Sequence, residues 1–243
     1  MSRELKPLNR KCHCIIVEGP PGAGKTSLSR ELGEALGEHT IVLLEPADGE
    51  DNANPYLSDY YADPKRWAFN IQIYLLYTRF QIHKNAQDYV MRRYGDAVLD
   101  RSYYGDVSFA RVQRRLGLMD ERDFETYLGS YHTMTASVLP PNICIRLLVS
   151  LRTSLRRIHR RSEEQEGRRC EAAITEEYIA AVDDEIGYTC DVLEKQGVRM
   201  MNVPWDTDRD TPEDRQETVL GLVERIRSVD PVDLYRDIHR RSI

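Results

Sequence analysis

The chain has 243 residues, 41% of them apolar, and a formal net charge of −6. That length suits a single α/β domain, read here as residues 1–243, and the negative balance speaks against general attraction to a nucleic-acid polymer. No run of 18 or more apolar residues occurs and the start, MSRELKPLNRKCHC, lacks an apolar stretch, so neither membrane insertion nor secretion is expected. Five cysteines without a framework spacing fit reduced thiols in the cytoplasm.

The first apolar run, Cys12–Val17, is expected to be a buried strand. Cys12-His13-Cys14 carries soft metal ligands, but strand alternation turns His13 away from both sulfurs, so buried thiols are expected instead. Next comes Gly19-Pro20-Pro21-Gly22-Ala23-Gly24-Lys25-Thr26-Ser27, which matches G-x-x-x-x-G-K-[ST] between a strand and a helix. Its glycines let backbone amides turn around phosphate oxygens at a helix N-terminus. Lys25 should reach the β- and γ-phosphates, and the Thr26 hydroxyl suits magnesium, a hard cation that prefers oxygen. Phosphate binding follows, yet the motif is common to kinases, GTPases, motors and nucleotide-binding regulators.

Leu28, Leu32 and Leu36 before Gly37 mark the first helix. Four further apolar runs, Ile41–Leu44, Ala97–Leu99, Ile143–Val149 and Val198–Val203, read as buried strands. Helices are expected from Trp67 to about Tyr94, around Phe124, Leu128 and Tyr131 with Asp120 as cap, from about Thr175 and from Thr211. Alternating strands and helices imply three layers around a parallel sheet. Such sheets place ligands at the carboxyl ends of their strands, where Glu45 and Asp100-Arg101-Ser102 stand. Arg152, Arg156, Arg157, Arg160 and Arg161 concentrate cations that suit a compact anion.

Several separated motifs together resemble the deoxynucleoside kinase family over nearly the whole chain. They are the phosphate loop; Glu45-Pro46; Tyr61-Ala-Asp-Pro-Lys-Arg-Trp-Ala-Phe-Asn-Ile-Gln72; Asp100-Arg101-Ser102-Tyr-Tyr-Gly-Asp106; and Arg156-Arg157-Ile-His-Arg160-Arg161-Ser-Glu163-Glu164-Gln165. The resemblance implies a five-stranded parallel sheet of order 2-3-1-4-5 and a dimer, with ATP, magnesium and a deoxynucleoside (deoxyadenosine, deoxyguanosine or deoxycytidine) as ligands. It makes Glu45 the base for the 5′-hydroxyl, Arg101 the bridge between that base and the transferring phosphate, and Asp100 a magnesium-site carboxylate beside Thr26.

By the same resemblance Tyr61 and Glu164 contact the 3′-hydroxyl, Gln72 meets the base edge, and Trp67 and Phe69 shape the pocket. Arg79 and Asp106 form a pair found in members that accept deoxycytidine or deoxypurines. Arg157 and Arg161 belong to an arginine-rich lid, about 156–173, and Asp206 to a loop that holds adenine. Residues 166–173 resemble an insertion without an implied role. Two other readings stay open. A thymidylate-kinase-like enzyme would share loop, Asp-Arg and lid, though such enzymes carry arginine where Leu44 precedes Glu45 here. A nucleotide-binding switch would share only the loop, and Asn-Lys-x-Asp is absent from the sequence.

Overall fold

The computed structural model describes residues 7–8, 10–45, 54–164, 166–206 and 212–230. Five strands, β1 (Cys14–Glu18), β2 (Thr40–Leu43), β3 (Asp96–Asp100), β4 (Ile143–Leu148) and β5 (Arg199–Pro204), form one parallel sheet in the order β2-β3-β1-β4-β5. This is the expected order. β1 lies at the centre, with Ile16 opposite Leu99 on one side and Cys144 on the other.

Strands buried on both faces read as unbroken apolar runs because alternate residues enter different cores. Cys14 and Ile16 pack with Ala97, Leu99 and Cys144 on one face. Ile15 and Val17 pack with Val98, Ile143 and Ile145 on the other. The first face is covered by α3 (Pro64–Met91), α4 (Tyr103–Arg115), α5 (Glu121–Thr135) and α7 (Glu176–Lys195), the second by α1 (Lys25–Leu36) and α8 (Pro212–Ser228). α2 (Leu57–Ala62) and α6 (Leu151–Glu164) complete the helices, and residues 166–173 form a 3-10 segment between α6 and α7.

Element limits differ from expectation where a side chain captures the backbone. β1 begins at Cys14, not Cys12, because the His13 N–H donates to the Asp96 carboxylate at 2.8 Å. His13 itself contacts Asp96 and the Val229 carbonyl, and no metal-binding cluster occurs among the described residues. α3 begins three residues before Trp67, since Pro64 occupies its first position and the Asp63 carboxylate accepts from Arg66 N, a favoured start. Asp120 and Thr175 cap α5 and α7 as expected; Thr211 lies outside the described residues. Among the described residues no helix is long and apolar enough to cross a membrane.

His83 stands fully buried in the middle of α3. One ring nitrogen meets the Leu139 carbonyl at 3.1 Å, and the ring lies edge-on to Tyr103 and Tyr104. Burial outweighs that carbonyl and holds its pKa at about 4. The unfolded chain then binds a proton between pH 6.5 and 4 that the folded chain refuses, so stability falls as pH drops through that window. The loss should be about 3 kcal/mol. His83→Gln, which keeps a donor for Leu139, is expected to flatten the slope in denaturant titrations at pH 7 and 4.5.

Candidate active site

A cavity of about 870 Å³ opens at the carboxyl ends of the strands, lined by the phosphate loop, Glu45, Asp100, Arg101, the middle of α3 and one side of α6. The loop folds as its glycines dictate. Gly22 and Gly24 have φ of +76° and +92°, a region glycine enters freely. A side chain at Gly22 would also strike the Ser154 carbonyl and Ile158, and one at Gly24 the Trp205 ring. The loop is therefore clamped between α6 and the end of β5.

Lys25 is buried and donates to the Gly19 and Pro20 carbonyls at 3.3 and 3.1 Å. Burial, then the neighbouring Arg101, lowers its pKa to about 7. A bound anion would restore its charge. Thr26 donates its hydroxyl to Asp100 Oδ2, and the buried Asp100 Oδ1 has no hydrogen-bond partner. A hydroxyl and an unpartnered carboxylate oxygen are the hard donors that magnesium takes from a protein when phosphate and water complete its shell, so these residues fit that ion.

Arg101 ends β3 in a left-handed conformation, φ +67°, which is uncommon for a residue with a side chain and marks a position fixed by its surroundings. Its guanidinium donates to the Gly19 carbonyl at 2.8 Å and to Glu18 at 3.3 Å. Glu18 was not singled out in the sequence. It is 1% exposed and also accepts from Ser102 N at 3.0 Å, at the start of α4. Burial raises its pKa while Arg101 opposes the rise. Gly105 leaves room for it, since a Cβ there would meet the Glu18 carboxylate at 2.6–2.8 Å.

Arg79 joins the two carboxylates named beside it. Its Nε donates to Glu45 Oε1 at 2.8 Å, and its terminal nitrogens pair with Glu45 and Asp106. Burial pushes the Glu45 pKa up, but Arg79, helped by Arg101, outweighs it and holds that group at about 2. Asp106 lies wholly buried behind the lining, where Tyr127 donates to it at 2.6 Å and Gln72 Nε2 at 2.7 Å. Gln72 Oε1 has no hydrogen-bond partner. A carboxylate fixes the amide's orientation, which leaves the buried Oε1 as the unused acceptor of a residue bordering the cavity.

The remaining expected residues divide. Gly19, Pro20 and Ala23 lie behind the lining, their carbonyls accepting from Lys25 and Arg157; Pro21 and Ser27 line it, as do Tyr61, Arg157, Arg161 and Glu164. Glu164 pairs with Arg160 at 3.8 Å. Trp67 and Phe69 are not on the lining. Trp67 packs on Tyr56 with ring centroids 5.9 Å apart, and Phe69 joins the main core. Five residues at about 100° each turn Trp67 well away from Gln72. Asp206 also lies off the lining, accepting from Ser150 N and Oγ at the start of α6. Pro46 and Gln165 are outside the described residues.

Phe109 supplies the aromatic surface instead, 5.5 Å from the Arg79 guanidinium carbon and 4.7 Å from that of Arg101. Tyr60, Gln113 and Tyr178 form a hydrogen-bonded wall beside it. None of these was legible as a site residue, because one aromatic or amide on a helix reads as packing until its neighbours are known.

The deoxynucleoside kinase family model matches residues 15–226. The chain belongs to the deoxynucleoside kinase family. It is 37% identical over 165 residues to the deoxyadenosine kinase of Dictyostelium discoideum, covering 68% of this chain and 61% of that protein. It is 32% identical over 199 residues to the deoxyguanosine kinase of the same organism, covering 82% of this chain and 66% of that one. The chain thus spans about three-fifths to two-thirds of the length of these curated relatives. The structure of deoxyadenosine kinase from M. mycoides with bound dCTP superposes with a TM-score of 0.68 at 27% identity, covering 87% of this chain and 97% of that one. A further relative, 24% identical over 215 residues, is a mitochondrial NADH dehydrogenase 1 alpha subcomplex subunit of Bos taurus. Membership of this family gives the fold, and the site must carry any statement of activity.

Removing Glu18 would leave Arg101 and the Ser102 N–H buried without their carboxylate. Glu18→Gln is expected to cost about 3 kcal/mol, read as a thermal midpoint lower by roughly 5–10 °C.

Proposed function

We propose that this protein transfers the γ-phosphoryl group of ATP to the 5′-hydroxyl of a deoxynucleoside. The observation that carries this reading is that Glu45, at the end of β2, and Lys25 of the phosphate loop open onto one cavity, with Arg101 between them in the chain's charge network. The cavity is large enough for a nucleoside and a triphosphate together. Relatives named deoxyadenosine, deoxyguanosine and deoxyadenosine/deoxycytidine kinases support the acceptor class.

In this mechanism the phosphate loop binds the donor, and Lys25 regains its proton against the β- and γ-phosphates. Glu45 stays ionised at neutral pH and accepts a hydrogen bond from the 5′-hydroxyl, orienting it in line with the phosphorus. Because the transition state of phosphoryl transfer is loose, positioning and charge stabilisation matter more than the strength of the base. Arg101, Arg157 and Arg161 neutralise charge that develops on the equatorial oxygens. Thr26 and Asp100 would hold magnesium, which would supply charge neutralisation to the triphosphate when bound.

Gln72 Oε1 offers an acceptor to the exocyclic amine of adenine or cytosine or to the N–H edge of guanine. Asp106 fixes Gln72 and Arg79 from behind. Tyr61 and Glu164 are assigned to the 3′-hydroxyl, and closure of α6 over the triphosphate keeps water from competing as acceptor. The proposal includes a cytoplasmic homodimer that acts on small molecules, in line with the negative net charge.

Purified protein with magnesium and labelled ATP should label deoxyadenosine, deoxyguanosine or deoxycytidine, not their monophosphates. Glu45→Gln should lower kcat by about 100- to 10,000-fold while leaving the affinity for ATP unchanged. Labelling of a monophosphate alone would move the protein to the thymidylate-kinase-like class, and ATP binding without transfer would make it a nucleotide-binding switch.

A further inference from the structure

The 3-10 segment between α6 and α7 belongs to none of the motifs used above, yet two of its side chains line the cavity. Glu171 is 5% exposed. Its Oε2 accepts from Arg161 Nε at 2.9 Å and forms an ion pair with Arg161 Nη2 at 2.6 Å, and its Oε1 accepts from Arg168 Nη1 at 2.7 Å. Arg161 hangs from the last turns of α6 and Arg168 from the segment itself. All three border the cavity that also holds Lys25 and Arg157.

One buried carboxylate between two guanidiniums leaves the group with a net positive charge. Each guanidinium carries five N–H donors in a rigid fork. Glu171 occupies part of each fork, leaving further donors for an anion that enters the cavity. Without the carboxylate the two cations would repel and swing toward solvent. With it they are held side by side on the lid, at the cost of one buried charge that both of them satisfy.

The geometry points to Arg168 as a further phosphate-contacting residue and to Glu171 as the positioning residue that presents Arg161 and Arg168 to the polyphosphate of the donor. This rests on the reading that the phosphate loop binds ATP. It assigns the segment a purpose in donor binding that the lid arginines alone do not define. The opposite possibility, in which Glu171 occupies the arginines and keeps phosphate away, predicts a change of the opposite sign.

The test is calorimetric binding of ATP, tripolyphosphate and AMP to the full chain with no nucleoside present, so that it does not depend on transfer. Arg168→Ala should weaken ATP and tripolyphosphate about 10-fold and leave AMP within about twofold. Glu171→Gln, which keeps the size and one acceptor oxygen, should weaken the same two ligands, and its loss should not add to that of Arg168→Ala in the double variant. Unchanged ATP affinity in Arg168→Ala overturns the inference. So does tighter ATP binding in Glu171→Gln, or an equal loss for AMP accompanied by a lower thermal midpoint. A wild-type protein that binds ATP without phosphorylating any nucleoside overturns the proposed function and leaves this assignment standing. A wild-type protein that binds no tripolyphosphate overturns both.

Discussion

The pairing of Arg79 with Glu45 and Asp106 is the interaction on which the site depends. It ties the end of β2 to the first turns of α4 through the middle of α3, so three elements that are remote in the chain share one buried cation. The Glu45 carboxylate is partly shielded from water, and lost hydration favours its neutral form. The guanidinium reverses that tendency at Glu45. Asp106 takes up the other end of the same guanidinium and orients Gln72 by a second hydrogen bond. The residue assigned to proton acceptance and the residues assigned to base recognition are thus one electrostatic unit.

The rest of the cavity follows the same rule of mutual compensation. Glu18, Asp100 and Lys25 are each less than a tenth exposed, and Arg101 lies among them. No member could be removed without leaving another charge buried and unbalanced, a change that costs more than the intact pair gains. Such a network is rigid, which suits a reaction controlled by placement of oxygens and charges. Asp100 Oδ1 and Gln72 Oε1 are nevertheless among the buried acceptors that have no partner. They lie at the proposed magnesium and base positions, where a ligand would satisfy them.

The sheet was legible because its inner strands β1 and β3, buried on both faces, carry unbroken apolar runs, and each of the five runs became a strand, although the edge strand β5 leaves Arg199 and Asn202 exposed. The phosphate loop was legible because its glycines have a stereochemical reason. The helix α4 was harder: Asp106, Ser108 and Gln113 are buried within it and interrupt the apolar periodicity that identifies helices. Glu18 sat unremarked at the end of β1, since an acidic residue before a glycine signals nothing until Ser102 and Arg101 are brought against it. Trp67 and Phe69 gave the reverse error. Their place in a family-like stretch suggested pocket contact, but the 3.6-residue period turns Gln72 and Arg79 inward and Trp67 aside. The pairing of Glu171 with Arg161 and Arg168 likewise exists only in three dimensions.

The most direct test of the link between Arg79 and Glu45 is the pH dependence of kcat/KM for the nucleoside in wild-type protein and in Arg79→Gln. With the guanidinium present, Glu45 remains ionised and the wild-type profile should show no acid limb above about pH 5. Without it, burial is opposed only by the weaker pull of Arg101 and Lys25, and the limb should rise toward that range. Superimposable profiles for the two proteins would contradict the account, because Glu45 would then not owe its charge to Arg79 or would not serve as the acceptor of the hydroxyl proton.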